Sequence, residues 1–183
     1  PCEPISPYGH SKKMIEHVLE SYNRAYGLNY VAFRYFNACG ADSQGRHGQA
    51  QNATHIIARV LESMRDGQPF TLNGTDYSTA DGTCVRDYVH VEDIANAHVL
   101  ALDSKIPAGV YNLSTGKGTS NAEIVDAAKN IVKQPLNIVL GSRRAGDPDE
   151  LTASAEKFSS VAGQWQRWTL QDMISHAWQW YKR

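Results

Sequence analysis

An α/β fold with a truncated doubly wound sheet is what this sequence predicts. Three observations carry that expectation. Helix-like and strand-like stretches alternate along the chain. About four or five short strands are visible, too few for a complete doubly wound sheet. A content of 42% hydrophobic residues in 183 supplies a sizeable core. In order, residues 11–26 carry Met14, Ile15, Val18, Leu19 and Tyr22 at helical spacing, and Gly27 provides the stop. Residues 30–36 are β-branched and aromatic and read as a buried strand, followed by a polar, glycine-bearing loop over 37–51. Ile56, Ile57, Val60, Leu61 and Met64 mark a second amphipathic helix, ended by Asp66-Gly67. Residues 70–72 form a short strand before a polar loop over 73–83. Residues 91–103 read as a helix with Ile94, Ala97, His98 and Ala101 on one face, and 110–113 as a strand. Ser120-Asn121-Ala122-Glu123 and Thr169-Leu170-Gln171-Asp172 are capping boxes, opening helices that run through Ile124 to Val132 and through Met173 to Tyr181. Residues 136–140 form another short strand.

Composition removes several function classes. With 18 basic and 19 acidic residues the net charge is -1, so no whole-chain basic field for nucleic acid exists. No apolar run approaches the ~18 residues that a membrane span needs. Cys2, Cys39 and Cys84 are odd in number and far apart, which points to reduced thiols and a cytoplasmic protein. The seven histidines show no ligand spacing, so no protein-bound metal is expected. Gly40 to Gly45 has Walker spacing but lacks the Lys and Ser/Thr that the phosphate loop requires, and no G-x-G-x-x-G occurs. The chain opens Pro1-Cys2-Glu3-Pro4, with neither Met nor a signal peptide, which suggests a piece of a longer protein.

The first residues that carry chemistry are Tyr8 and Lys12. Spacing i, i+4 puts the phenol and the ammonium on one helix face. A phenol titrates near pH ~10, too high for a base at neutrality, and a neighbouring cation lowers that value. Tyr8 could then take a proton from a substrate hydroxyl. The same spacing also suits an exposed surface pair. Likewise Arg86 beside Asp87, and Arg144 near Asp147, suit exposed ion pairs, while Asn37 and Asn52 suit loop and cap positions.

Context decides between these readings. Pro4-Ile5-Ser6-Pro7-Tyr8-Gly9-His10-Ser11-Lys12 resembles the catalytic segment of the extended short-chain dehydrogenases/reductases. Arg34-Tyr35-Phe36-Asn37-Ala38-Cys39-Gly40-Ala41, the run Asp81-Gly82-Thr83-Cys84-Val85-Arg86-Asp87-Tyr88-Val89-His90-Val91-Glu92-Asp93, and Arg144-Ala145-Gly146-Asp147 are similar to segments of that family's nucleotide-sugar 4-epimerases. Four segments in the expected order span nearly the whole chain.

The resemblance implies a truncated Rossmann-like parallel sheet remnant (residues 1–50) plus a smaller α/β substrate-binding domain (51–183), with residues 91–103 and 110–113 returning to the first. It implies an NAD-dependent isomerase that inverts C4 of a UDP-hexose through a transient 4-keto sugar. Tyr8 would exchange the 4-hydroxyl proton, and Lys12 would lower its pKa and hold the nicotinamide ribose. Tyr35 and Phe36 would wall the nicotinamide. Asn37, Asn52 and Ala53 would meet the diphosphate region, Arg86 and Arg144 would clamp the diphosphate, and Asp147 would accept from the ribose hydroxyls. Thr71 and Asn73 would meet the uracil edge, where the family commonly carries an aromatic at the Asn73 position. Leu151 would limit room beside the sugar 2-substituent.

The resemblance also implies a preceding region with the Gly-rich NAD loop, so the isolated chain is expected to bind NAD weakly and to turn over little. A homodimer built partly on the helix bearing Tyr8 is expected, or self-association through its uncovered apolar face. Two other readings stay open: a UDP-sugar-binding module complemented by a separate NAD-binding half, or another extended reductase acting as a nucleotide-sugar dehydratase or decarboxylase.

Overall fold

The structure, a computed structural model, describes residues 3–103, 105–144 and 146–183. Cys2, one of the expected free thiols, and Ala145, the variable position of the R-x-G-D segment, lie outside the described residues.

Helix α1 runs Pro7–Tyr26, starting four residues before the apolar periodicity suggests. The reason is local: Ser6 Oγ accepts from the Gly9 amide at 3.1 Å, and a proline at the first helical position suits the helix start. Gly27 ends it in the left-handed region at φ 69. None of its side chains is buried; Met14, Ile15, Val18 and Tyr22 are all more than half exposed. What ties the helix down is a fork from Arg34 to Glu16, at 2.6 and 2.5 Å. The Arg34 guanidinium holds the Glu16 carboxyl below the usual carboxylate range.

Arg34 belongs to β1 (Val31–Tyr35), which pairs in parallel with β5 (Gly109–Leu113). Residues 37–39, expected in a loop, instead form β2 (Asn37–Cys39), because a parallel partner, β4 (Val85–His90), lies about fifty positions further along the chain. Strand β4 is the hub. Its second half pairs with β2, and its first half is flanked by antiparallel β6 (Gly118–Ser120) and parallel β8 (Glu150–Leu151). A separate parallel pair joins β3 (Phe70–Asn73) to β7 (Ile138–Gly141).

Two hydrophobic clusters organise the helices. In one, α2 (Ile56–Asp66), α4 (Asn121–Val132) and α6 (Leu170–Tyr181) bury Ile57, Leu61, Ile124 and Ile174 against Phe70 and Tyr88. Both capping boxes form, at Ser120/Glu123 and Thr169/Asp172. In the other, Phe158 and Trp165 pack with Tyr111, Leu113 and Val89 beneath Val31, Phe33 and Phe36. Helix α3 (Val91–Ala101) turns Asp93 and Ala97 inward, with Leu100 packed beside them. Ile94 and Ala97 meet the second cluster as expected, and the more exposed His98 sets its ring edge-on to Phe33 at 5.0 Å, whereas Ala101 is not packed against it; Asp93 is held inside because it accepts from the Arg167 and Trp168 amides. Helix α5 (Glu156–Ala162) carries Phe158.

His90 joins the two halves of this architecture. It closes β4 and caps α3, with Nδ1 accepting from the Glu92 amide at 3.0 Å. An accepting Nδ1 leaves the neutral ring's proton on Nε2, which donates to His176 Nδ1 at 3.0 Å. Trp168 and the Gly40 turn close the site; at Gly40, φ +86, a Cβ would stand 2.8 Å from His90 Nε2. Burial, then the nearness of the His176 ring, holds the His90 pKa down to about 4, against the opposing pull of Glu92 and Asp172. The unfolded ring titrates near pH ~6.5, so below that the unfolded chain binds the extra proton and is favoured. Stability is therefore expected to be full above pH ~6.5 and to fall by about 2 kcal/mol as pH drops towards ~4. Urea midpoints measured from pH 7 to 4.5 read this directly, and a flat profile would refute it.

Candidate functional site

Six of the residues singled out from the sequence converge on one cavity of about 300 Å³: Asn37, Thr71, Asn73, Arg86, Arg144 and Asp147. Each is placed by its element. The alternation of β3 buries Phe70 and Leu72 and leaves Thr71 and Asn73 partly open. Asn37, at the start of β2, donates its amide to the Asp87 carbonyl at 2.8 Å and so locks β2 to β4. Arg86, on β4, has one nitrogen 2.8 Å from the Val85 carbonyl and another 3.8 Å from Asp147 Oδ1. The ion pair is thus with Asp147 across the cavity; the adjacent Asp87 points the other way and is buried. Two neighbouring arginines divide their work. Arg143 lies 3.9 Å over the Tyr77 ring and pairs with Asp149, while Arg144 lines the cavity.

Four expected site residues lie elsewhere. Asn52 and Ala53 border a shallow groove beside Glu62; Asn52 adopts φ 61 and gives its amide to Glu62 Oε1, which carries both residues away from the cavity. Two residues further on, Thr54 and His55 line it instead, together with Asn121 and with Arg59, which borders both, and none of the four was marked by the sequence as a site residue. Leu151 sits in β8 with its side chain largely open, outside the cavity lining. Phe36 packs against the second core rather than beside Tyr8. Cys84 reaches the cavity as a neutral thiol: burial raises its pKa, and Asn121 Nδ2 lies 3.2 Å from its sulfur.

A second cavity, of about 570 Å³, lies between α1 and β1 and is lined by Tyr8, Lys12, Tyr35 and the apolar Ile15, Ala32 and Phe33. The Lys12 ammonium stands 5.3 Å from the Tyr8 ring centroid, so the i, i+4 pairing read from the sequence is realised on the helix. Tyr35 is anchored by His98. The His98 Nδ1 bonds the Ile94 carbonyl at 2.8 Å, which can only accept, so the neutral ring's Nε2 accepts from the Tyr35 hydroxyl at 2.8 Å. Among the described residues no cluster of His, Cys, Asp and Glu could hold a metal ion, and no helix is long and apolar enough to cross a membrane.

A sequence profile of the NAD dependent epimerase/dehydratase family matches residues 1–145. The chain belongs to that family. Its relatives include the UDP-glucose 4-epimerases of Halalkalibacterium halodurans, 40% identical over 188 residues, and of Lactobacillus helveticus, 42% identical over 189 residues. All of this chain is covered in both matches, against 56% and 57% of the relatives, so it spans little more than half their length. Among solved structures, the UDP-glucose 4-epimerase of Brucella ovis in complex with NAD superimposes with a TM-score of 0.90 at 39% identity, covering 98% of this chain and 57% of that one. The Bifidobacterium longum enzyme in complex with NAD+ and UDP gives 0.84 at 33% identity, covering 96% and 54%. The epimerase-family fold is therefore reproduced here over the segment that holds both cavities.

Proposed function

We propose that this chain serves C4 epimerisation of a UDP-hexose, the first cavity holding the nucleoside diphosphate and the second the reacting sugar carbon beside NAD. The observation that carries the reading is the convergence of Arg86, Arg144 and Asp147 with Thr71 and Asn73 in one cavity. Two guanidinium groups suit a diphosphate, a carboxylate suits ribose hydroxyls, and strand polar groups suit a base edge. The relatives named UDP-glucose 4-epimerase support the same substrate class.

The second cavity fits the nicotinamide end of NAD: its donor set is a phenol and an ammonium, both able to meet ribose hydroxyls, beside an apolar wall for a flat ring. When bound, NAD would accept the C4 hydride and return it to the opposite face. Tyr8 removes the proton from the 4-hydroxyl and restores it afterwards, and Lys12 stabilises the phenolate and orients the ribose. Arg86 and Arg144 keep the diphosphate fixed while the sugar turns about it. Residues 1–50 read as the remnant of the dinucleotide-binding domain and 51–183 as mainly the substrate domain; α3 and β5 go with the former, as their packing beside β1 supports. The exposed apolar stripe of α1 supports a homodimer through that helix, and the free thiols of Cys39 and Cys84 support a cytoplasmic setting.

Calorimetric titration of the chain with UDP tests the reading. Saturable binding is expected, weakened about tenfold or more by Arg86→Ala, with light scattering on the same sample reporting a species larger than a monomer. Absence of any UDP binding by the folded chain would overturn it.

A further inference from the structure

A third arginine lines the nucleotide cavity. Arg59 stands one turn into α2 and lines this cavity with Thr54 and His55, while also bordering the groove beside Glu62. Its central carbon lies 5.8 Å from the Phe70 ring, at the base of the strand that presents Thr71 and Asn73. Among the described residues no ion pair engages it, whereas Arg86 faces Asp147 and Arg143 faces Asp76 and Asp149. Asn73 completes this corner. Its partner across the β3–β7 pair is Gly141, where a Cβ would come within 2.6 Å of Asn73 Oδ1; only glycine leaves the amide its room.

We infer that Arg59 reads the base of the bound nucleotide and, with Asn73, makes the cavity prefer uracil over cytosine; this rests on the nucleoside-diphosphate reading above. A guanidinium offers donors only, and the Asn73 amide offers one donor group and one acceptor. The uracil edge presents two carbonyl oxygens flanking an N–H, which this set satisfies completely. Cytosine replaces one carbonyl by an amino group, so a donor would face a donor and remain unpaired, a mismatch that polar sites reject strongly. The planar fork meets that edge with donors in fixed directions, a geometry that a lysine ammonium does not reproduce.

The test is calorimetric titration of wild type, Arg59→Met and Arg59→Lys with UDP, CDP and inorganic pyrophosphate, with thermal melts to confirm folding. Wild type is expected to prefer UDP over CDP by about tenfold or more. Arg59→Met is expected to weaken UDP about tenfold, to bring UDP and CDP to near parity, and to leave pyrophosphate within about twofold. Arg59→Lys should keep pyrophosphate binding and still lose the base preference. Unchanged UDP affinity in Arg59→Met overturns the inference alone. So does a parallel loss of UDP, CDP and pyrophosphate, which would make Arg59 a plain anion attractor. A wild type that binds none of the nucleotides overturns the functional reading itself.

Discussion

Phe158→Ala is expected to lower the stability of the chain by about 4 kcal/mol, read as a shift in the urea midpoint without a change in slope. Phe158 is fully buried and meets three aromatic rings edge-on: Phe33 at 5.0 Å, Tyr111 at 5.6 Å and Trp165 at 5.8 Å between centroids. Phe33 comes from β1, Tyr111 from β5 and Trp165 from the segment after α5, so a single side chain joins three parts of the second core. Truncation removes the transfer free energy of a benzyl group, leaves a cavity that stiff neighbouring rings cannot close, and forfeits the edge-to-face pairs. Phe158→Leu, which keeps most of the volume, is expected to cost about half as much. A loss under ~1 kcal/mol for the alanine variant would mean that this core collapses around the gap or is already loose.

That such a residue sits on α5 shows where the sequence stopped being legible. Helix α5 has seven residues, no side-chain cap at Ala155 and a single buried position, too little for a periodicity to register. The helices with caps and long apolar periods were readable, because Ser120, Thr169, Gly27 and Gly67 act within one turn of themselves. Strands β2, β6 and β8 have three, three and two residues, and each exists only through pairing with β4, whose own sequence, Val-Arg-Asp-Tyr-Val-His, carries charges that mask a buried strand. The site divides the same way. Residues inside the four recognisable segments, such as Arg86, Arg144 and Asp147, could be named in advance. His55, Arg59 and Asn121 stand in or beside the first turns of helices that tertiary packing alone brings to the cavity, and Asn52 falls just short of Thr54 and His55, which line it.

The charge that masks β4 is also what fixes it. Asp87 is completely buried and its carboxylate accepts from the Thr115 amide and hydroxyl, both at 2.7 Å, and from the Gly116 amide at 2.9 Å. Its own carbonyl receives Asn37 Nδ2. One residue therefore ties β4 to the turn after β5 on one side and to β2 on the other, with Arg86 immediately before it. Asp87→Ala strands three donors and opens a void, and is expected to cost about 3 kcal/mol. Asp87→Asn keeps one acceptor oxygen but aims an amide N–H at a donor, so an intermediate loss of about 1–2 kcal/mol is expected. The binding readout separates a positioning role from a merely structural one. If the carboxylate holds Arg86 in register with Asp147, the asparagine variant, still folded, should bind UDP several-fold more weakly with no change in the pH dependence of binding. A folded Asp87→Asn chain with wild-type UDP affinity would confine Asp87 to stability and leave the placement of Arg86 to the strand pairing with β6 and β8 alone.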